Sequence, residues 1–136
     1  METMNHECYV SLEVAKLLKE AGFDWEEHYP RNFCYVNDNT ELFDKSVLKN
    51  YIGEDDVIYL APTLDITQRW LREVKDIDVY IFPTTNNKRG CVYEWGIKTF
   101  GRALWVEGQP YTNQYETYEE ALEVGIKKAI EIILKK

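Results

Sequence analysis

The chain is poor in the residues and segments that mark several large protein classes. Its 136 residues include only two histidines and three cysteines, Cys8, Cys34 and Cys91. An odd number of widely spaced cysteines argues against a disulfide framework and indicates free thiols in a reducing compartment. No apolar run approaches the roughly 18 residues of a membrane span, and no basic segment followed by an apolar one opens the sequence. We therefore expect a cytoplasmic protein without membrane contact.

Sequence patterns for cofactors and metals are also missing. The chain contains no G-x-G-x-x-G, P-loop, H-E-x-x-H or C-x-x-C pattern. His6, Cys8, His28 and Cys34 could supply soft metal ligands, but structural zinc sites use more closely spaced pairs. We predict that the protein holds neither a metal nor a cofactor.

Acidic residues outnumber basic ones, and the excess lies in the first half of the chain. The net charge is −8, from 24 acidic and 16 basic residues. Residues 1–62 carry 13 acids and 5 bases, whereas residues 63–115 carry 6 acids and 7 bases. A negative field repels phosphates, so the composition opposes nucleic-acid binding except in the balanced middle. The length fits one domain spanning residues 1–136.

Three amphipathic helices are predicted, at 11–21, 64–75 and 118–134. Ser11 is a suitable N-cap for the first helix, and Gly22 can adopt the left-handed conformation that ends it. Apolar residues recur at intervals of three and four along each segment, as on the buried face of a helix.

The second helix has a tryptophan among basic residues, in the stretch APTLDITQRWLREVK. Thr63 is its predicted N-cap. Ile66, Trp70 and Val74 recur every four residues, which places Trp70 on the apolar stripe and away from the neighbouring arginines. We therefore interpret Trp70 as a core residue and not as a stacking platform for bases.

The last helix has the strongest terminal signal. Thr117 and Glu120 form a capping box, in which the threonine is the N-cap and the glutamate the third helical residue. Ala121, Gly125 and Ala129 are small and share the centre of the apolar face. Since glycine costs about 1 kcal/mol of helix propensity relative to alanine, its presence predicts a close approach to the sheet.

Strands are predicted where β-branched and aromatic residues concentrate, with a hairpin turn at 83–90. The pattern predicts an α+β fold, an antiparallel β-sheet of about four strands packed with the three helices, and an α/β/α sandwich is one arrangement of these layers. The predicted strands are 32–36, 56–61, 77–82, 91–98 and 103–107. Residues 56–61 are alternatively an extended segment that leads into the following helix.

Three segments carry a family resemblance: YVSLEVAKLLKEAGFDWE, APTLDITQRWLREVK and TYEEALEVGIKKAIEII. In this order and spacing they resemble small uncharacterised proteins of phages, prophages and mobile elements of Bacteroides-type bacteria. Residues 62–135 are also similar to the phage ABA sandwich domain, which has a sheet between helices. The resemblance implies a fold and a genetic setting, and it implies no activity or functional residues.

Two features raise the alternative of a small hydrolase. Ser46 and Lys49 match S-x-x-K, a pattern in which a lysine can activate a serine nucleophile, but its usual partner motifs are absent. The acidic clusters 54–56 and 76–78 could hold a cation, although acidic loops are more often solvated turns.

The hairpin at 84–102 raises a second alternative, nucleic-acid binding. Lys88, Arg89, Lys98 and Arg102 are its candidate phosphate-binding residues. The aromatic side chains beside them alternate onto one face of the returning strand. That face is also the one that a core requires, so we expect the helices to cover it.

The leading expectation is a non-enzymatic accessory or interaction protein of a phage or mobile element. A protein partner of unknown identity stays open, nucleic acid and a membrane are not expected, and we expect a monomer or weak homodimer. No catalytic residue is assigned.

Overall fold

The chain combines helices with antiparallel strands, as predicted for an α+β fold. The computed structural model describes residues 8–25, 32–48, 50–86, 90–99, 105–107 and 114–135. The chain divides into two compact units, Met1–Thr63 and Leu64–Lys136. Within the described residues the elements are α1 Leu12–Ala21, β1 Phe33–Val36, β2 Phe43–Asp44, α2 Lys45–Leu48, β3 Ile58–Leu60, α3 Leu64–Val74, β4 Ile77–Asn86, β5 Gly90–Thr99, β6 Trp105–Glu107 and α4 Tyr118–Leu134.

The first unit contains a small antiparallel sheet in the order β2-β1-β3. β1 is central, so Cys34 pairs with Leu60 of β3 on one side and with Phe43 of β2 on the other. The sequence places a turn after β1, and Asn37 there has a φ of 54°. Asparagine tolerates this left-handed conformation better than most residues do.

The first helix begins and ends where its caps predict. The Ser11 hydroxyl accepts a hydrogen bond from the Val14 N–H at 3.3 Å, and Gly22 follows the last turn with a φ of 87°. The buried face of α1 contains four residues, Val14, Ala15, Leu18 and Ala21.

The second unit contains a meander in the order β4-β5-β6. Pro83 pairs with Tyr93 and Asn86 pairs with Gly90, so residues 83–86 are strand and the predicted turn at 83–90 is too long. β-branched Thr84 and Thr85 favour the extended backbone, and β4 is an edge strand of its sheet, where proline is tolerated. The six strands thus form two three-stranded sheets where a single sheet of about four strands was predicted.

The last helix has the predicted bounds and packs on this meander. The Thr117 hydroxyl accepts from the Glu120 N–H at 3.1 Å, as in a capping box. Gly125 is buried, and its α-carbon faces Val79 and Trp95 of the sheet. The close approach that the small residues predicted is confirmed.

The first element of this unit, α3, contains the tryptophan. Trp70 has no exposed surface, which confirms it as a core residue. Val74 is 47 % exposed and Thr67 is fully buried, so the predicted stripe is wrong at its C-terminal end. The Gln68 amide donates to the Val79 carbonyl at 2.6 Å. α3 contacts both β4 and α4, which places the two helices of this unit together on the sheet.

Candidate ligand-binding cleft

A cleft of about 330 Å³ opens in the first unit beside α1, β3 and the start of α2. Its described lining combines five apolar side chains with two lysines. Ala15 and Leu18 are buried and close the floor, whereas the apolar walls are half-buried and within reach of a ligand. The lining residues are Ala15, Leu18, Lys19, Phe23, Lys45, Ile58 and Leu60.

The C-terminus of α1 shapes one wall of the cleft. The Gly22 N–H donates to the Lys19 carbonyl at 3.2 Å, and the Phe23 N–H donates to the Leu18 carbonyl at 3.0 Å. These two bonds form a Schellman motif, which turns the residue after the glycine back toward the last helical turn. Phe23 and Leu18 consequently line the same cleft.

Lys19 links α1 to the open edge of β3. Its ammonium nitrogen donates to the Ile58 carbonyl at 3.1 Å and lies 5.5 Å from the centre of the Tyr59 ring. Val57 and Ala61 make the backbone bonds toward β1, so the Ile58 carbonyl points away from β1. The lysine is exposed, yet these two contacts fix its position at the rim.

Lys45 is the first residue of α2 and lines the cleft. Its backbone N–H donates to the Asn32 carbonyl at 2.8 Å. Next to it, Asp44 accepts from both the backbone N–H and the hydroxyl of Ser46, at 3.0 and 2.8 Å. This is the local capping that aspartate provides at a helix start.

The same geometry bears on the hydrolase alternative. Ser46 is exposed, its hydroxyl is hydrogen-bonded to Asp44, and it is not among the described residues that line the cleft. Lys49, its partner in the S-x-x-K pattern, lies outside the described residues. The described hydrogen bonds of Ser46 therefore belong to the cap of α2, in which Asp44 is the acceptor.

Of the three carboxylates in the acidic loop 54–56, that of Asp56 connects this loop to the turn after β1. Asp56 accepts from the Asn37 side-chain amide and from the Gly53 N–H, both at 2.8 Å. The side-chain amide oxygen of Asn37, Oδ1, in turn accepts from the Val57 N–H at 2.9 Å. The hydrogen bond from Asn37 and, to a smaller extent, the one from Gly53 stabilise the carboxylate. They therefore lower the pKa of Asp56 below its ordinary value.

The second acidic pair lies at the turn into β4. Asp76 has a φ of 58°, and a carboxylate oxygen of Asp78 lies 3.8 Å from a guanidinium nitrogen of Arg72. Asp78 also pairs across the strands with Lys98. Asp78 thus faces basic side chains, as in an ordinary surface charge pair.

The hairpin residues proposed for nucleic acid are only partly described. Lys98 is exposed, whereas Lys88, Arg89 and Arg102 lie outside the described residues. The aromatic face of β5 is not available for stacking.

Trp95 is 7 % exposed and Ile97 is fully buried. The Tyr93 ring meets the Tyr118 ring of α4 edge-on, with centroids 6.0 Å apart. The expectation that the helices cover this face is confirmed.

Of the candidate metal ligands, the two histidines, His6 and His28, lie outside the described residues. Cys8 is exposed and Cys34 is buried in β1. Over the described part of the chain, no three histidine, cysteine or acidic side chains come together in a metal-binding group.

Comparison with known proteins gives no further guide. No protein-family model, curated protein or solved structure matches the chain. Of the helices in the described ranges, none is long and apolar enough to cross a membrane.

Sequence reasoning did not find the cleft. Lys19 lies outside the buried face of α1, and no local pattern in the sequence connects it with Lys45. The two become neighbours of one cavity only through the pairing of β3 with β1 and of β1 with β2. No local pattern encodes that pairing, because each of these strands has four residues or fewer.

Proposed function

We propose that the chain is a non-enzymatic binding protein that acts through the cleft of its first unit. The observation that carries the proposal is the lining itself, in which apolar walls lie beside two lysines. Ligand sites are typically concave and mostly apolar, with a few polar groups that orient the ligand. Among the described lining residues there is no serine, threonine, cysteine, histidine or carboxylate to act as a nucleophile or acid–base pair.

The family resemblance supports the setting of this proposal. The three matching segments suggest an accessory protein of a phage or mobile element, and such a protein can act by binding without catalysis. A fold analogy alone carries no function, so the cleft is the part of the proposal that an experiment can address.

A fragment screen by two-dimensional NMR tests the proposal. Neutral and charged apolar fragments are added singly to the full ¹⁵N-labelled chain. Binders are expected to shift the amides of Leu18, Lys19, Phe23, Ile58 and Leu60 in a saturable manner.

A blocked variant makes the test specific. Ile58→Trp places a larger side chain on a half-buried wall, and we expect it to abolish those shifts. Val47→Trp is the matched control, because Val47 is 61 % exposed and does not line the cleft. Fragment hits that map elsewhere, or that survive Ile58→Trp in a folded variant, would contradict the proposal.

A further inference from the structure

We infer that the cleft takes a small soluble amphiphile with a carboxylate head and an aliphatic body. This inference rests on the proposed function, since it names the ligand class of the same site. Lys19 and Lys45 are the only charged groups in the described lining, and both are cationic.

The charge of the cleft differs from that of the chain around it. Residues 1–62 carry 13 acids and 5 bases. Against that background, two of the five bases line a single cavity whose described lining has no acid. A single negative head group gains from the Lys19 ammonium at the rim, whereas a multiply charged ligand meets the surrounding negative field. The charge pattern therefore favours a monoanion.

Lys19 is positioned to hold such a head group. An ammonium has three N–H donors, and the Ile58 carbonyl takes one of them at 3.1 Å. The contact with the Tyr59 ring also restrains the side chain. A lysine that is already restrained loses less conformational entropy when a carboxylate oxygen binds it.

The apolar walls define the rest of the ligand. Phe23, Ile58 and Leu60 are half-buried, so they can cover an aliphatic body without opening the core. The volume of about 330 Å³ is at the low end of the roughly 300–1,000 Å³ typical of ligand pockets. The ligand is therefore a short chain, and each added methylene tightens binding by up to about fourfold until the cleft is full.

The experiment compares three probes with the same eight-carbon body and different heads. Octanoate, 1-octanol and octyltrimethylammonium are titrated below their aggregation concentrations into the full chain, and dissociation constants are taken from the cleft amide shifts. We expect octanoate to bind at least about tenfold more tightly than octanol, since charge-assisted hydrogen bonds are the stronger ones. Octyltrimethylammonium is expected to bind more weakly than octanol.

Variants assign the preference to the two lysines. Lys19→Gln and Lys45→Gln should each weaken octanoate binding by about three- to tenfold, and the double variant should bind octanoate and octanol alike. Lys16→Gln is the matched control, because Lys16 lies on the same helix, pairs with Asp38 and does not line the cleft. An unchanged octanoate affinity in the folded double variant would overturn the inference.

The remaining outcomes separate this inference from the proposed function. If octanol binds the cleft as tightly as octanoate, the cleft is a ligand site and the carboxylate assignment is wrong. The same holds if no eight-carbon probe binds but the fragment screen gives cleft hits. If neither the probes nor the fragments bind, the proposed function fails as well. Sedimentation of the protein with phosphatidylglycerol vesicles would point to a bilayer lipid and would also overturn the assignment to a soluble ligand.

Discussion

Gly125 of α4 lies directly against Val79 of β4. A β-carbon built at Gly125 would be 2.8 Å from the Val79 Cγ1 atom and 3.0 Å from the Trp95 β-carbon. Contacts below about 3 Å between such carbons are not tolerated in a close-packed interior. The helix can approach the sheet this closely only because residue 125 has no side chain.

The first prediction follows from that contact. Gly125→Leu should destabilise the fold by roughly 1–3 kcal/mol or more, because the interface is overpacked. Lys128→Leu is the matched control, since Lys128 is exposed on the same helix. Thermal unfolding of both variants measures the difference, and an unchanged melting temperature for Gly125→Leu would show that the glycine does not pack on the sheet.

The second prediction concerns Gly96 and its cross-strand partner Tyr80. The Tyr80 ring occupies the position that a β-carbon at Gly96 would take, an arrangement in which an aromatic ring covers a strand glycine. Gly96→Ala should therefore destabilise the sheet, although alanine is intrinsically better than glycine in a strand by roughly 0.5–1 kcal/mol.

A double-mutant cycle isolates this contact. In a Tyr80→Ala background, Gly96→Ala should cost nothing or stabilise the protein. Equal penalties in both backgrounds would mean that the ring does not cause the effect.

The third prediction is a pH dependence at Asp56. Hydrogen bonds from Asn37 and Gly53 hold its pKa below the ordinary 3.8. A carboxylate with a depressed pKa stabilises the fold above its ordinary pKa, and that stabilisation is lost as the pH falls through the folded-state pKa. The free-energy difference between wild type and Asp56→Asn should thus be present at neutral pH and shrink below about pH 3.8.

Chemical denaturation across a pH series measures that difference. Asp55→Asn serves as the control for removing one negative charge from the same loop, where Asp55 is exposed. A gap between wild type and Asp56→Asn that stays constant down to pH 2 would exclude the hydrogen-bonded carboxylate as its source.

The fourth prediction concerns nucleic acid. Because the Tyr93 and Trp95 face packs under α4 and the chain carries a net charge of −8, single-stranded DNA or RNA should bind no tighter than the non-specific range of roughly 10⁻⁴–10⁻⁶ M at physiological salt. A mobility-shift titration measures this. Submicromolar, salt-sensitive binding that disappears in Lys88→Glu/Arg89→Glu would instead support the hairpin as a nucleic-acid site.

The elements with local chemical signals were predictable from sequence. α4 has the predicted bounds because Thr117 fixes its first turn. α1 ends at Gly22 because a glycine adopts the left-handed conformation without strain. Where the signal is tertiary, prediction failed. Thr67 is polar yet fully buried, and Val74 is apolar yet exposed, since α3 is oriented by its neighbours and not by its own hydropathy.

The division of the strands between two sheets was also not predictable from the sequence, because it depends on tertiary pairing. β2 has two residues and β3 has three, too few to show an alternating pattern, and they join β1 only by long-range pairing. The cleft depends on that pairing, so its lining could not be derived from the sequence. No sequence-spacing pattern connects its two lysines, Lys19 and Lys45.

The bonds from Lys19 to Ile58 and from Gln68 to Val79 have a consequence beyond the positions of two helices. Each places a side-chain donor on a backbone carbonyl of an outermost strand, β3 in one sheet and β4 in the other. A strand from another molecule that joined either border would have to displace that donor first. Natural proteins limit intermolecular strand addition by such obstructions. Among the described strands, these two long polar side chains therefore obstruct strand addition at one edge of each sheet.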